Sequence, residues 1–191
     1  SNYVIFNLIN NHLGEQSHKY TKIFCYISAM QIRKAIPEDF PKMLPIFREV
    51  IEGGDTYDFE ETASERDAFD YWFGKGVESF VMEEGGQVLG FYKIIANHRG
   101  RGSHVANASF MVSSKARGKG IGRKMGEDCI AQARAMGFRA IQFNFVISTN
   151  APAMHLWKSL GFTELCRLPG AFHHKTLGYV DAVIFFRELY K

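Results

Sequence analysis

A chain of 191 residues with 46% apolar content can bury one sizeable core, and 23 Lys and Arg against 20 Asp and Glu leave a net charge of only +3. So mild a balance gives no reason to expect a nucleic-acid partner, and the longest apolar runs fall far short of the ~20 residues that a membrane helix needs. Cys25, Cys129 and Cys166 are widely separated, odd in number and without a Cys-x-x-Cys spacing, which suits reduced thiols in a cytoplasmic protein.

Residues 1–29 differ in character from the rest of the chain. Tyr3 to Ile9 is apolar but interrupted by Asn7 and lacks a cationic lead, so it reads poorly as a signal peptide. Met30 is a candidate native start, with Ser1-Asn2 a cloning scar and the rest an upstream extension; an ordered accessory segment is the other reading. The domain proper is then 30–191.

Gln31 to Ala35 opens it as a strand, and Pro37-Glu38-Asp39 starts a helix whose Phe40, Met43, Leu44, Phe47, Val50 and Ile51 recur at helical spacing. Gly53-Gly54 ends that helix, Thr56 to Glu61 is a loop, and Ala63 to Phe73 is a second helix. Ser79–Met82 and Gln87–Ala96 pair as a hairpin across Glu83 to Gly86. After the Gly/Arg-rich loop His98 to Ser103 comes a strand ending at Val112, then a glycine-rich turn and a helix to about Met136. A strand Ala140 to Ile147, a helix from Asn150, and strands Phe162–Arg167 and Tyr179–Glu188 on either side of a loop containing Pro169, His173 and His174 complete a mixed α/β sheet.

The turn Arg117-Gly118-Lys119-Gly120-Ile121-Gly122 is the most chemical part of the chain. A helix N-terminus carries unpaired N–H groups and the positive end of the helix dipole, and glycines let a phosphate approach them. Five cations among the ten residues from Lys115 to Lys124 add charge suited to a polyphosphate. The nucleotide-triphosphate loop is excluded, since no glycine stands five before a Gly-Lys-Ser/Thr, and the dinucleotide fingerprint wants a glycine where Arg123 stands.

Arg-x-x-Gly-x-Gly, from Arg117 to Gly122, resembles the acyl-CoA loop of the GNAT superfamily of N-acetyltransferases. The run from Asn150 through Ala153, Leu156 and Trp157 to Gly161-Phe162 resembles that superfamily's Asn-x-x-Ala-x-x-Leu-Tyr-x-x-x-Gly-Phe helix, with tryptophan in place of tyrosine. The resemblance covers roughly Met30 to Tyr190. It implies a single α/β domain whose mixed, mostly antiparallel sheet is flanked by helices, with two splayed parallel strands admitting the pantetheine arm. It also implies acetyl-CoA as cosubstrate, held by Arg117, Gly118, Lys119, Gly120, Ile121 and Gly122, by the backbone of Met111 and Val112, and by Asn150, which could equally be a helix N-cap. A backbone N–H near Val112 would polarise the thioester.

In many members the tyrosine at the Trp157 position protonates the departing thiolate, which an indole N–H cannot do. That leaves Tyr179, His155, water or unassisted release. Asn107 and Asn144 lie on strands that should be apolar if both faces are covered, which suggests a lined cleft. With Asn150 they resemble the fungal acetyltransferases acting on azetidine-2-carboxylate and other proline analogues, implying that Asn107 and Asn144 hold a small amino acid; alternatively they satisfy buried backbone groups. Glu52, Asp55 and Asp58 could supply a base or form a solvated loop, and His173 and His174 could close over the acceptor or sit on the surface. No His or Cys pair has metal-ligand spacing, so no metal is expected.

The expectation is therefore an N-acetyltransferase acting on a small-molecule amine by direct transfer in a ternary complex, without nucleic acid or membrane, and with a homodimer allowed. A peptide acetyltransferase recruiting a basic tail to the acidic loop, a non-catalytic acyl-CoA sensor and a nucleic-acid binder using the Lys/Arg cluster are the competing readings.

Overall fold

The computed structural model describes residues 30–190; the proposed start at Met30 and the character of residues 1–29 lie outside what it describes. Among the described residues seven strands form one sheet, in the order β1-β2-β3-β4-β5-β7-β6. They are β1 (Gln31–Lys34), β2 (Glu78–Glu84), β3 (Gln87–Ala96), β4 (Val105–Val112), β5 (Ala140–Ile147), β6 (Thr163–His174) and β7 (Gly178–Glu188). Helices α1 (Phe40–Gly53) and α2 (Glu65–Phe73) cover one face, and α3 (Ile121–Ala135) and α4 (Ala151–Ser159) the other.

Strand alternation divides the core. Val81, Phe91 and Met111 pack with Met43, Phe47 and Trp72 beneath α1 and α2, whereas Phe80, Tyr92, Phe143 and Phe185 pack with Met125, Ile130 and Trp157 beneath α3 and α4. The first layer is fastened by Arg33 on β1, which donates to both oxygens of Asp39 at 2.7 Å and to Glu83 on β2 at 2.9 Å. Its guanidinium holds both carboxyls below their usual range. Gly54, in the left-handed region at φ 60°, terminates α1, and the Ser64–Asp67 capping box starts α2 at Glu65, two residues after the expected Ala63.

The tail departs from the sequence reading. The loop expected at Leu168 to His174 is part of a continuous β6, with register shifts between Glu164 and Cys166 and between Leu168 and Phe172. Pro169 is tolerated because β6 is an edge strand, and the bulge absorbs Pro169-Gly170 while Gly170 N–H donates to Asp181 Oδ1 at 3.0 Å.

One parallel pair interrupts the antiparallel sheet. β4 and β5 pair only at Val105–Ala140 and Ala106–Ile141 and then diverge. Among the described residues no helix is long and apolar enough to cross a membrane.

Candidate active site

The divergence of β4 from β5 opens a cleft of about 980 Å³. Its walls come from the end of α1, the loop to α2, both splayed strands, the turn before α3, the start of α4 and the β6–β7 turn.

The backbone of β4 decides what this gap offers. Ser113 N–H donates to Leu89 O at one end and Asn97 N–H to Val105 O at the other, and the unbroken register between them commits the odd-numbered residues of β4 to β3. Ala108, Phe110 and Val112 therefore turn their N–H and C=O groups into the gap. Val112 and Met111 both line the cleft, but only Val112 turns its peptide into the gap. The main chain of Met111 bonds to β3 and its side chain is 1% exposed in the α1/α2 core, so the strip open to a pantetheine arm is Val112, Phe110 and Ala108.

Beyond Val112 the chain turns through Ser114–Ala116 into the glycine loop. Gly118 and Gly120 take φ values of 77° and 74°, conformations that disfavour a side chain, and a Cβ on either would meet nothing within 4 Å. Open space in front of backbone N–H groups at a helix start is what an anionic ligand needs. Gly122 has another role, because its Cβ would lie 3.3 Å from Leu156 Cδ2, and it lets α4 approach α3. Ile121 buries its side chain in the core and can offer only its backbone. Lys115, Arg117 and Lys119 are exposed around the loop, while Arg123 is engaged by Glu127 and Ser159. Arg117, Gly118 and Gly122 line the cleft.

On the far side, Asn150 caps α4 by accepting from Ala153 N–H at 3.1 Å and also lines the cleft, so both of its suggested roles are compatible. Trp157 is 7% exposed, with ring centroids 4.5 Å from Phe143 and 4.8 Å from Phe110. Tyr179 is 77% exposed and His155 is exposed, and neither lines the cleft, so the two side chains considered as thiolate acids are not positioned for that task.

The remaining half of the cleft is lined by Asp55, Tyr57, Asp58, Tyr71, Asn107, Ser109, Asn144 and His174. Asn107 Nδ2 donates to Gln142 O at 3.0 Å, bridging the strands just where their pairing stops. Asn144 is exposed; its Oδ1 accepts from Gln142 Nε2 at 2.8 Å and its Nδ2 donates to Asn97 Oδ1 at 2.6 Å. The structure thus brings the two asparagines to one cleft while giving Asn107 the backbone-satisfying role as well. His174 lines the cleft from β6 and His173 stacks on Tyr179 outside it; Glu52 offers its carbonyl to Lys175.

Sequence reading missed two residues of the cleft wall, Tyr57 and Tyr71, and Lys93 packed behind Tyr71. The Tyr57 hydroxyl donates to Phe110 O at 2.8 Å and accepts from Phe110 N–H at 2.9 Å. Tyr71 OH shares a 2.7 Å hydrogen bond with Ser109. Lys93, 5% exposed, places Nζ 3.0 Å from the Tyr71 ring centroid and donates to Tyr71 O at 2.9 Å. Burial brings the Lys93 ammonium down to about 7, opposed by the charge of Asp58. A lysine within the apolar run Phe91-Tyr92-Lys93-Ile94-Ile95 was the available signal.

This splayed-strand cleft with a glycine loop at one end has known counterparts. Residues 40–162 match the acetyltransferase (GNAT) family. The N-acetyltransferase aca1 of Schizosaccharomyces pombe is 39% identical over 99 residues, 51% of this chain and 47% of that protein, so the match spans about half the relative's length. A GCN5-related N-acetyltransferase from Kribbella flavida superimposes with a TM-score of 0.80 at 43% identity, covering 84% of this chain and 98% of that one. A GNAT superfamily phosphinothricin acetyltransferase from Sinorhizobium meliloti, solved in complex with AcCoA, gives 0.72 at 26% identity over 83% and 88% of the two chains. The chain belongs to the acetyltransferase (GNAT) family and is by family an acyltransferase.

Proposed function

We propose that the protein transfers the acetyl group of acetyl-CoA to the amine of a small molecule, with a free amino acid or proline analogue as the acceptor. The observation that carries this reading is the edge of β4 that β5 leaves uncovered. Ala108, Phe110 and Val112 turn their peptide groups toward a gap that runs from the glycine loop to the amide- and tyrosine-lined pocket, and at Phe110 the Tyr57 hydroxyl stands in place of a strand partner. The pyrophosphate of CoA suits the N–H groups around Gly118 to Gly122, and the amides of the pantetheine arm suit the strand edge. Asn150 and the backbone of Val112 flank that path.

The amine attacks the thioester carbon while donor and acceptor are both bound. Its lone pair forms the C–N bond, the carbonyl π pair moves to oxygen, and collapse breaks C–S with the electron pair leaving on sulfur; the proton lost by nitrogen balances the thiolate through solvent. An ordinary amine is mostly protonated at pH 7, so a water or side chain must take that proton before attack.

Enclosure supports a small acceptor. Lys175, in the β6–β7 turn, donates from its backbone N–H to Gly54 O at 2.9 Å and from Nζ to Glu52 O at 2.8 Å and Glu61 at 2.7 Å, tying that turn to the α1–α2 loop over the acceptor half. Asp55 and Asp58 on that loop favour a second reading, a basic peptide or polyamine. The deciding experiment is CoA release from acetyl-CoA with azetidine-2-carboxylate and free amino acids, set against polyamines and basic peptides. Turnover with the small imino and amino acids is expected; turnover with peptides alone would displace this reading.

A further inference from the structure

On the reading that acetyl-CoA lies along the β4 edge, the position of its thioester follows from the two ends of the cleft. An arm leaving the glycine loop meets Val112 first and Phe110 next, and Phe110 is the residue flanked by Tyr57 and Ser109 of the acceptor half. Donor carbonyl and acceptor amine must meet, so the carbonyl belongs at the Phe110 N–H. That N–H is already occupied. The Tyr57 hydroxyl accepts from it at 2.9 Å and donates to the carbonyl of the same residue at 2.8 Å.

An oxygen atom that binds the Phe110 N–H must take the place of the Tyr57 oxygen. The hydroxyl, moved aside by about one atom's width, keeps the incoming oxygen within reach of its proton, and once attack begins that oxygen carries more negative charge than the peptide carbonyl the hydroxyl held before. We infer that Tyr57 O–H and Phe110 N–H together form a two-donor oxyanion site, in which Tyr57 hydrogen-bonds the thioester oxygen and the negative charge that develops on it during attack.

The surroundings fit a fixed donor. Tyr57 packs against Phe59, whose ring lies 5.2 Å from Phe47 and 4.9 Å from Tyr71, both edge-on. The loop carrying it is held by Lys175 through Gly54 and Glu61. Burial pushes the phenol well above its ordinary pKa, so it remains a protonated donor at any working pH. The other tyrosine hydroxyl of the cleft is placed differently: Tyr71 is bonded to Ser109 on the α1/α2 side of β4. The tryptophan at position 157 supplies no hydroxyl from the opposite wall.

The test is the carbonyl stretch of [1-¹³C]acetyl-CoA by difference infrared spectroscopy, which needs no acceptor. Binding to the unaltered protein should move the band to lower frequency. In Tyr57→Phe it should move back by roughly half, one of two donors being lost, while affinity for CoA itself stays within about twofold. Tyr71→Phe should leave the band where it is. Should Tyr57→Phe fold poorly, 3-fluorotyrosine at position 57 keeps the hydroxyl as a stronger donor and should drive the band lower still. An identical band in the unaltered protein and Tyr57→Phe overturns the two-donor site and leaves Phe110 alone. Acetyl-CoA that binds with no band shift, or fails to bind, overturns the β4-edge reading itself and this inference with it.

Discussion

Trp157 on α4 sets its ring 4.8 Å from that of Phe110 on β4, so the residue replacing the expected tyrosine braces the side chain of the residue whose peptide faces the gap. Contacts with Phe143 at 4.5 Å and Phe162 at 5.8 Å make it the hub of an aromatic cluster, and that position argues for packing over acid catalysis. Trp157→Ala should cost about 3–5 kcal/mol of stability by urea denaturation. Trp157→Phe should cost much less and keep kcat within about threefold, since no proton passes through the indole. A loss of kcat in the phenylalanine variant with stability intact would give the indole a chemical role.

Gly120 separates the donor loop from the fold. Its φ of 74° makes any side chain strained by about 1 kcal/mol, yet a Cβ there meets nothing within 4 Å. Gly120→Asp should therefore still fold while placing an anion where the pyrophosphate belongs, and calorimetric titration should show CoA affinity reduced at least about 100-fold, the loss of roughly two charge-assisted hydrogen bonds. Unchanged affinity would move the phosphate site elsewhere.

The two asparagines separate by what else they do. Asn107 holds Gln142 O at the branch point of β4 and β5, so Asn107→Ala should lose about 1 kcal/mol of stability along with acceptor use. Asn144 is exposed, with partners Gln142 and Asn97 that water can replace; Asn144→Ala should leave the thermal midpoint nearly unchanged and raise the acceptor KM about tenfold or more. If Asn144→Ala leaves acceptor KM alone, the amide chain serves the strand edge only.

How far these features could be read from the sequence depends on the range of the interactions involved. The glycine loop, the helix carrying Asn150 and Trp157, and the succession of strands and helices along the chain around them are short-range patterns, and the structure keeps them in place. The direction of the Met111 peptide was not legible because it depends on the register between β3 and β4, a long-range quantity that the strand's own residues do not encode. The same holds for β6, where Pro169-Gly170 looks like a loop until the strand is known to be an edge. Tyr57 lies 53 residues from Phe110 in a loop with no periodicity to flag it, and only the folded chain brings them together.

Lys93 makes a prediction of the opposite kind, in which a buried residue behind the cleft is read through stability. Its amine titrates at about 7 in the fold, chiefly because burial disfavours the ammonium, against 10.5 when exposed. Asp58 opposes the shift, and the face of Tyr71 attracts the cation. Below pH 7 the folded and unfolded states both hold the proton, so this residue adds no pH dependence. Between about 7 and 10.5 the unfolded chain binds the proton and the folded one does not, so stability rises with pH, by up to about 1.4 kcal/mol per unit. Lys93→Met removes the titrating group while keeping an unbranched apolar stem, and other titrations cancel in the comparison. Urea denaturation at pH 7, 8 and 9 should therefore show the unaltered protein gaining stability relative to Lys93→Met at each step. A difference that stays flat across this range would mean that the ring of Tyr71 keeps the lysine charged throughout.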